Sequence, residues 1–372
     1  MAHRQVPFFN YRAIFESQEQ ELTAAVVDVM RRGAYILQQD LADFEQRLRD
    51  FLGVKYAFGV ADGTNALIIA LQAAGIGRGD EVIVPSHTYV ASAASIHFAG
   101  ATPVLVECRD DHMIDPAGVR AAITSRTRAI MPVQLNGRTA AMDEIMAIAG
   151  EHGLKVIEDA AQALGSRFRG QFAGTFGAAG TFSFYPAKLL GCFGDGGGVV
   201  TNDDAVGERL ALLRDHGRDS RGEVVGWGTN SRLDNLQAAI LNVKFRTFAA
   251  DLDRRRRLAT LYDQALHDIP ELLLPPAPDA DSRHHDVYQN YEIEAERRDD
   301  LKQHLEAHGI RTIIQFGGKA VHQYEGLGLT QHRLPRTELL YRRALLLPMN
   351  TSLSDEDVGY VTDRIRHFYG RR

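Results

Sequence analysis

The stretch "FSFYPAKLLGCFGDGG" at residues 182–197 places a single lysine, Lys188, between an apolar, strand-like run and a glycine-rich loop. Lysine is rarely fully buried unless it has a partner. Lys188 is therefore either an ordinary surface residue of a loop or an amine held in a pocket for covalent chemistry. The remainder of the sequence decides between these two interpretations.

Length, charge and cysteine content limit the possible classes of protein. A chain of 372 residues favours two domains, or one large domain with a smaller one. The formal net charge of −6 gives no overall field that favours nucleic acid. The only two cysteines, Cys108 and Cys192, form no disulfide framework and fit a reducing compartment. No run resembles a signal peptide or a membrane span, so we expect a cytoplasmic protein that binds neither membrane nor nucleic acid.

Short apolar runs alternate with helical stretches from about residue 19 to residue 245. Helix-like segments such as 64–74 and 142–153 lie between several of these runs. The predicted strands are 81–85, 102–107, 128–135, 155–160, 180–185 and 197–202. They are apolar nearly throughout, as is typical of strands that are covered on both faces. The alternation predicts an α/β domain of three layers with a mostly parallel sheet.

A second, smaller unit is predicted after this alternation ends. One long helical stretch covers about 233–268, and its "RRRR" at 254–257 is flanked by aspartates and leucines, which favours a solvated helix face over a nucleic-acid site. The sequence after 272–282 predicts a compact α+β unit. The predicted domains are a large α/β domain over residues 13–247 and a small C-terminal domain over residues 248–372, with residues 1–12 packing alongside.

Two segments of the predicted α/β domain offer groups for a ligand. Gly63 and Thr64 open a predicted helix, where free N–H groups and the helix dipole attract anions, although this pattern taken alone favours an ordinary capped helix start. Tyr89 follows the predicted strand 81–85, at the edge where parallel sheets bind ligands. Its ring could stack on a planar ligand or pack in the core.

Two further segments add an acid and an amine. Asp159 stands at the carboxyl end of an apolar predicted strand, which is an expensive place for a charge without a cationic partner. Ser183 lies on the strand that precedes Lys188. An anion site, an aromatic platform, a buried carboxylate and a buried amine are the four parts of a pyridoxal phosphate site.

Read in order, these segments resemble the DegT/StrS family of nucleotide-sugar aminotransferases. The matching pieces are "GAYILQQDLADFE" (33–45), "GTNAL", "GDEVIVPSHTY", "VIEDAAQALG", "TFSFYPAKLLGCFGDGG", "GWGTNSRLDNLQAAI" (226–240) and "LLLPMNTSLSDEDVGYV" (345–361). They cover most of the chain, and several motifs in order are more specific than any single one. The resemblance implies the fold of the type I pyridoxal-phosphate-dependent transferases, which is that of aspartate aminotransferase.

The resemblance also implies a role for each matching residue. Lys188 would form a Schiff base with the cofactor, and Asp159 would pair with its pyridine nitrogen. Asn230, with Arg232 close by, matches a residue that reaches the phosphate from a neighbouring subunit, which implies a homodimer with shared active sites. The implied cofactor contacts are Gly63, Thr64, Tyr89, Asp159, Gln162, Ser183, Lys188 and Asn230.

The implied reaction moves an amino group from L-glutamate to a keto group of a nucleotide-linked (deoxy)hexose. The product would be an amino sugar for lipopolysaccharide, another glycan or a secondary metabolite. Arg218, Lys319 and His322 are the candidate substrate contacts. The stretch 313–328 departs from the usual pattern of the family, so the identity of the sugar stays open.

Three other classes of protein match the sequence less well. A related sugar dehydratase would carry histidine in place of Lys188, and a regulatory relative would lack a key residue or carry a DNA-binding appendage. A cysteine desulfurase needs a reactive loop cysteine, whereas burial is the simpler interpretation of Cys192. The pair His284–His285 has no partners at ligand spacing, so no metal site is predicted.

Overall fold

A seven-stranded sheet forms the centre of this computed structural model, which describes residues 4–371. The helices are α1 (Tyr11–Glu16), α2 (Glu19–Arg32), α3 (Gln39–Leu52), α4 (Gly63–Ala73), α5 (Val90–Phe98), α6 (Pro116–Ala121), α7 (Met142–His152), α8 (Asp204–Leu213), α9 (Asn235–Lys244), α10 (Phe248–Leu266), α11 (Arg298–Ala307), α12 (Pro335–Arg343) and α13 (Asp355–Phe368). The strands are β1 (Tyr56–Val60), β2 (Glu81–Pro85), β3 (Thr102–Val106), β4 (Thr127–Ile130), β5 (Lys155–Asp159), β6 (Arg167–Phe168), β7 (Gln171–Phe172), β8 (Ala179–Ser183), β9 (Gly197–Thr201), β10 (Leu272–Leu273), β11 (His284–His285), β12 (Tyr291–Ala295) and β13 (Ala344–Leu347). No helix within the described range is long and apolar enough to cross a membrane.

The large sheet has the strand order β1-β9-β8-β5-β4-β2-β3. Neighbouring strands from β8 to β3 run parallel, whereas β9 runs antiparallel to both β8 and β1. The predicted α/β class with a mostly parallel sheet is therefore confirmed. Because parallel strands are joined by helices that cover both faces of a sheet, β2 is buried at all five of its positions.

The six predicted strands are present, and the differences have local causes. β4 ends at Ile130 rather than at residue 135, because Pro132 cannot donate to a strand ladder and a 3₁₀ turn follows at Leu135–Gly137. β1 was not predicted, since the glycine in its run weakens the strand signal. At Gly59 a Cβ atom would lie 2.6 Å from the side chain of Leu41, so the packing of α3 requires that glycine.

The long predicted helix over 233–268 is two helices, α9 and α10, separated by residues 245–247. The solvated face predicted for "RRRR" is wrong for Arg255, which is buried. Its Nη1 donates to the carbonyl oxygens of Tyr288, Gln289 and Met349 at 3.1, 3.1 and 3.0 Å. One arginine of the run thus holds three backbone segments of the C-terminal part together.

A three-stranded sheet with the order β10-β12-β13 forms the centre of the C-terminal part. Its apolar core includes Tyr262 from α10 and Tyr291 from β12. Val6 of the N-terminal segment forms a bridge to Ile310 and packs in the same core. β11 of the C-terminal part pairs with β6, and β11, β6 and β7 form a second three-stranded sheet.

Candidate active site

A cavity of about 800 Å³ opens where the strands β2, β5 and β8 end. Ligands of parallel sheets bind at this edge because the loops after the strands converge there. The N-terminal residues Phe8 and Phe9 and the C-terminal stretch around Gln315 close its other sides. Seven of the predicted site residues line the cavity together, namely Gly63, Thr64, Tyr89, Asp159, Gln162, Ser183 and Lys188.

The N-terminus of α4 forms one end of the cavity. Asp62 caps the helix by accepting a hydrogen bond from the Asn65 backbone N–H at 2.8 Å, which leaves other N–H groups of the first turn free. A Cβ atom on Gly63 would lie 2.9 Å from the Cβ of Ser183, so only glycine leaves this space open. Free N–H groups and the helix dipole suit this end to a phosphate group.

Asp159 lies at the end of β5 and is buried. Its Oδ2 accepts a hydrogen bond from the Ser92 hydroxyl at 2.6 Å, and its Oδ1 accepts one from the Ala161 N–H at 3.2 Å. Burial raises the pKa of Asp159, while the bonds from Ser92 and Ala161 and the charge of Lys188 act in the opposite direction. A buried carboxylate held in this way is suited to pair with a cation such as a protonated ring nitrogen.

Lys188 is half-buried and lines the cavity on the loop after β8. Its backbone N–H donates to the Tyr185 carbonyl at 2.8 Å, which fixes the turn that carries it. Burial lowers the pKa of the Lys188 amine, and the Asp159 charge offsets part of that effect. Of the two interpretations of Lys188, the structure supports the amine in a pocket.

Tyr89 is 58% exposed and stands at the start of α5. Its ring centroid lies 5.7 Å from that of Phe316 across the cavity, with an angle of 44° between the rings. An exposed ring in the wall of a cavity is available for stacking, so core packing does not account for this tyrosine.

The described cavity wall contains one cationic side chain, that of Lys188. Its acidic members are Asp62, Asp159 and Asp195. Anionic ligands in this cavity must therefore be bound by backbone N–H groups, by hydroxyls, or by groups from outside the wall.

Four of the predicted contacts do not line this cavity, and two of them lie on one exposed segment. Arg218 and Asn230 belong to the segment 215–230. Its backbone forms two isolated antiparallel β-bridges, one between Asp215 and Asn230 and one between Arg218 and Val224. Trp227 near its end is 97% exposed. The segment therefore presents a large apolar side chain to the surroundings.

The substrate contacts predicted in the C-terminal part separate in the structure. Lys319 lines a smaller surface cavity next to the first, and the two share Tyr89. His322 is buried instead, with its Nδ1 2.8 Å from the Ser86 hydroxyl, and it does not line the cavity. The prediction that His322 contacts the substrate is corrected, because the ring packs behind the wall.

A buried polar network behind the cavity wall was missed by the sequence analysis. Glu292 Oε2 accepts hydrogen bonds from His87 Nε2 at 3.2 Å, His112 Nδ1 at 3.0 Å and Asn136 Nδ2 at 2.8 Å. His87, His112 and Glu292 each offer one atom that could bind a metal ion, and these three atoms lie within 4.8 Å of one another. The available signal was the pattern "YEIEA", since two glutamates on one face of an otherwise apolar strand need buried partners.

Both cysteines are free and buried. Burial raises the pKa of the Cys192 thiol, and that of Cys108, to about 12. A thiol with such a pKa is not a thiolate near neutral pH, which argues against desulfurase chemistry at Cys192.

The chain is similar to known proteins over nearly its whole length. The sequence profile of the DegT/DnrJ/EryC1/StrS aminotransferase family matches residues 16–366. A dTDP-3-amino-3,4,6-trideoxy-alpha-D-glucose transaminase of Streptomyces venezuelae is 42% identical over 371 residues, which are 98% of this chain and 97% of that protein. A UDP-N-acetyl-3-dehydro-alpha-D-glucosamine 3-aminotransferase of Acidithiobacillus ferrooxidans is 40% identical over 97% of either chain. The crystal structure of S. venezuelae DesV in complex with a ketimine intermediate matches with a TM-score of 0.94 and 40% identity over 99% of both chains.

Proposed function

The chain belongs to the DegT/DnrJ/EryC1/StrS aminotransferase family, and from this premise we propose that it moves an amino group from L-glutamate to a keto group of a nucleotide-linked (deoxy)hexose. Pyridoxal phosphate is the cofactor, and the product is an amino sugar for lipopolysaccharide, another glycan or a secondary metabolite. One observation carries the proposal. The amine of Lys188 and the buried carboxylate of Asp159 line one cavity, together with the N-terminus of α4.

The residues present fit this cofactor. The first turn of α4, with Gly63, Thr64 and the hydroxyl of Ser183, would bind the phosphate. Asp159 would face the ring nitrogen, and Lys188 would carry the covalent link. The open space at Gly63, which a Cβ atom would fill, agrees with a bound anion. The buried carboxylate of Asp159 agrees with a bound cation.

Two further residues would complete the contacts to the ring. Tyr89 would cover one face of it. Gln162 accepts a hydrogen bond at Oε1 from the Asn136 N–H at 2.8 Å, so its Nε2 is the end that can donate to the phenolic oxygen of the cofactor.

Bound pyridoxal phosphate supplies an electron-withdrawing ring that makes a proton on the carbon next to the transferred nitrogen acidic. Lys188 moves that proton, because burial lowers the pKa of its amine and favours the neutral form that can accept one. Asp159 keeps its negative charge with help from the Ser92 hydroxyl and so stabilises positive charge on the ring nitrogen.

A second copy of the chain completes the site in this proposal. Lys188 alone cannot neutralise the phosphate, the nucleotide diphosphate and the carboxylates of the amino donor. Arg218 and Asn230 lie on the exposed segment 215–230 and would reach the neighbouring cavity, and Lys319 would meet the nucleotide diphosphate. The nearly complete exposure of Trp227 supports a contact there. The assembly is then a homodimer with two shared sites.

The proposed domains are those that the sequence predicts. Residues 13–247 would form the cofactor-binding domain, and residues 248–372 would form the small domain, with residues 1–12 alongside. The core around Tyr262 and Tyr291 and the bridge between Val6 and Ile310 support a separate C-terminal unit with the N-terminal segment alongside. We place the protein in the cytoplasm, because its two free cysteines fit a reducing compartment.

The decisive experiment supplies the holoenzyme with L-glutamate and a panel of dTDP-, UDP- and GDP-linked keto-hexoses. Formation of 2-oxoglutarate and of an amino sugar in equal amounts is expected with at least one of them. Lys188→Ala is the matched control and should give neither product. Turnover of plain keto acids alone, with none of the nucleotide sugars, would contradict the proposed substrate class.

A further inference from the structure

Asn136 links the cofactor side of the cavity to the buried network around Glu292. It has a left-handed backbone conformation, with φ of 55° and ψ of 12°, which asparagine tolerates better than most residues. Its backbone N–H donates to Gln162 Oε1 at 2.8 Å, and its side-chain Nδ2 donates to Glu292 Oε2 at 2.8 Å. One residue therefore contacts both a cofactor-facing amide and a buried carboxylate.

Glu292 determines which way the amide of Asn136 points. A carboxylate can only accept hydrogen bonds, so the NH₂ group of Asn136 must face it. Glu292 Oε2 is also within hydrogen-bond distance of His87 Nε2 and His112 Nδ1, so it serves as the shared acceptor of this network. The other end of the Asn136 amide, its Oδ1, is thereby directed towards the cavity wall.

The orientation of Asn136 sets that of two further amides. Asn136 Oδ1 accepts hydrogen bonds from Asn290 Nδ2 at 2.8 Å and from Gln315 Nε2 at 3.2 Å. Both donors belong to residues that line the cavity and are at least nine-tenths buried. Their remaining ends are carbonyl oxygens, and the described residues offer no hydrogen-bond donor to Gln315 Oε1. Buried polar atoms of this kind normally find a partner.

We propose that Glu292, acting through Asn136, fixes the amides of Asn290 and Gln315 as a hydrogen-bond-accepting wall that selects a hydroxyl or acylamino N–H group on the hexose. This inference rests on the proposed function and names the part of the sugar that the wall recognises. Glu292 and Asn136 are positioning residues, since neither would contact the substrate through the bonds that they already make. The backbone N–H of Asn136 also orients Gln162, but in the opposite sense, so that Gln162 is left with its NH₂ group free to donate.

The test measures binding to the holoenzyme by calorimetry. The probes are dTDP-glucose, UDP-glucose and the analogues of each in which one hydroxyl is replaced by fluorine, which removes the donor while keeping the size similar. The wild type should lose about tenfold in affinity for at least one analogue, because one hydrogen bond is lost. Asn136→Gly keeps the left-handed backbone and its bond to Gln162 but removes the side chain that joins Glu292 to Asn290 and Gln315. The difference in affinity between the parent sugar nucleotide and its fluorinated analogue should therefore fall below about twofold.

Two substitutions on β12 provide the matched comparison. Glu292→Met should lose the discrimination in the same way as Asn136→Gly. Glu294→Met makes the same change two residues along, on the same face of the strand, where Glu294 bonds His112 and Arg336 but not Asn136. It should keep the preference of the wild type. If Glu292→Met does not fold, Asn136→Gly still decides the question.

Several results would overturn the inference. The first is that Asn136→Gly still distinguishes the parent sugar nucleotide from its fluorinated analogue as the wild type does. The second is that Glu294→Met loses this distinction as Glu292→Met does. The third is that the wild type binds all of the analogues as tightly as the parent. A transition metal found by elemental analysis in a one-to-one ratio with the chain would also overturn it, because Glu292 would then be a metal ligand with His87 and His112. Turnover of a keto-sugar without discrimination refutes only this inference, whereas no turnover refutes the proposed function and this inference with it.

Discussion

Removal of the Ser92 hydroxyl tests how the structure keeps Asp159 ionised. Ser92 Oγ donates to Asp159 Oδ2 at 2.6 Å, and Thr88 Oγ1 lies 2.7 Å from the Ser92 hydroxyl on its other side. Burial raises the pKa of Asp159, and the bond from Ser92 is the first of the effects that lower it. A hydrogen bond to a charged group contributes about 1.5–3 kcal/mol, so Ser92→Ala should raise this pKa by about one to two units.

The expected consequence is weaker binding of the cofactor, most clearly at low pH. Only the ionised carboxylate pairs with a protonated ring nitrogen, and a raised pKa removes that charge first as the pH falls. Titration of cofactor-free protein with pyridoxal phosphate at pH about 6 and at pH about 8, followed by visible absorption, should show a loss of affinity that is larger at the lower pH.

Ser95→Ala is the control for the Ser92 substitution. Ser95 lies one turn along α5, and its hydroxyl donates to the backbone carbonyl of Ser92 at 2.8 Å without contacting Asp159. It should bind the cofactor as the wild type does. Wild-type affinity of Ser92→Ala at both pH values would refute the reasoning, as would an equal loss in both variants.

Three further predictions concern the amine, a buried histidine and the exposed segment. Lys188→Ala should lower turnover by at least about a thousandfold and change the visible spectrum of the bound cofactor, and an unchanged spectrum would contradict its role. Burial lowers the pKa of His112, but its hydrogen bonds to Glu292 and Glu294 outweigh this and raise it to about 9. The stability that this provides, about 3 kcal/mol, is complete below pH about 6.5 and is lost as the pH rises through about 9, so a flat stability profile from urea unfolding would count against it. Trp227→Ser should weaken self-association by about tenfold or more in sedimentation experiments, and a monomeric wild type would contradict this contact.

The parts of the fold that were predictable are those with local causes. β2, β5, β8 and β9 are short, mainly apolar runs, and such runs are recognisable without their neighbours. The break between α9 and α10 was not predictable, because the helical spacing of apolar residues continues through it. The burial of Arg255 depends on three carbonyl groups at least 33 residues away, which no local pattern indicates.

The candidate site divides in the same way. Asp159 and Lys188 could be identified from the sequence, because each is a charged residue next to an apolar strand, where a charge needs a partner. The partners of Glu292 could not be identified from the sequence, since its contact with His87 joins residues that are 205 positions apart. His322 shows the converse error, because a residue near the site in sequence can pack behind its wall.

Among the described residues of the cavity wall, Lys188 is the one cation, and this has a consequence for inheritance. If the remaining contacts to the anionic groups come from the other subunit, two defective alleles can rescue each other when one lacks the amine of Lys188 and the other lacks Asn230. In a randomly mixed population of dimers, about a quarter of all active sites would combine an intact cavity with an intact neighbouring segment. A cell carrying both alleles would then grow where a cell with either allele alone would not.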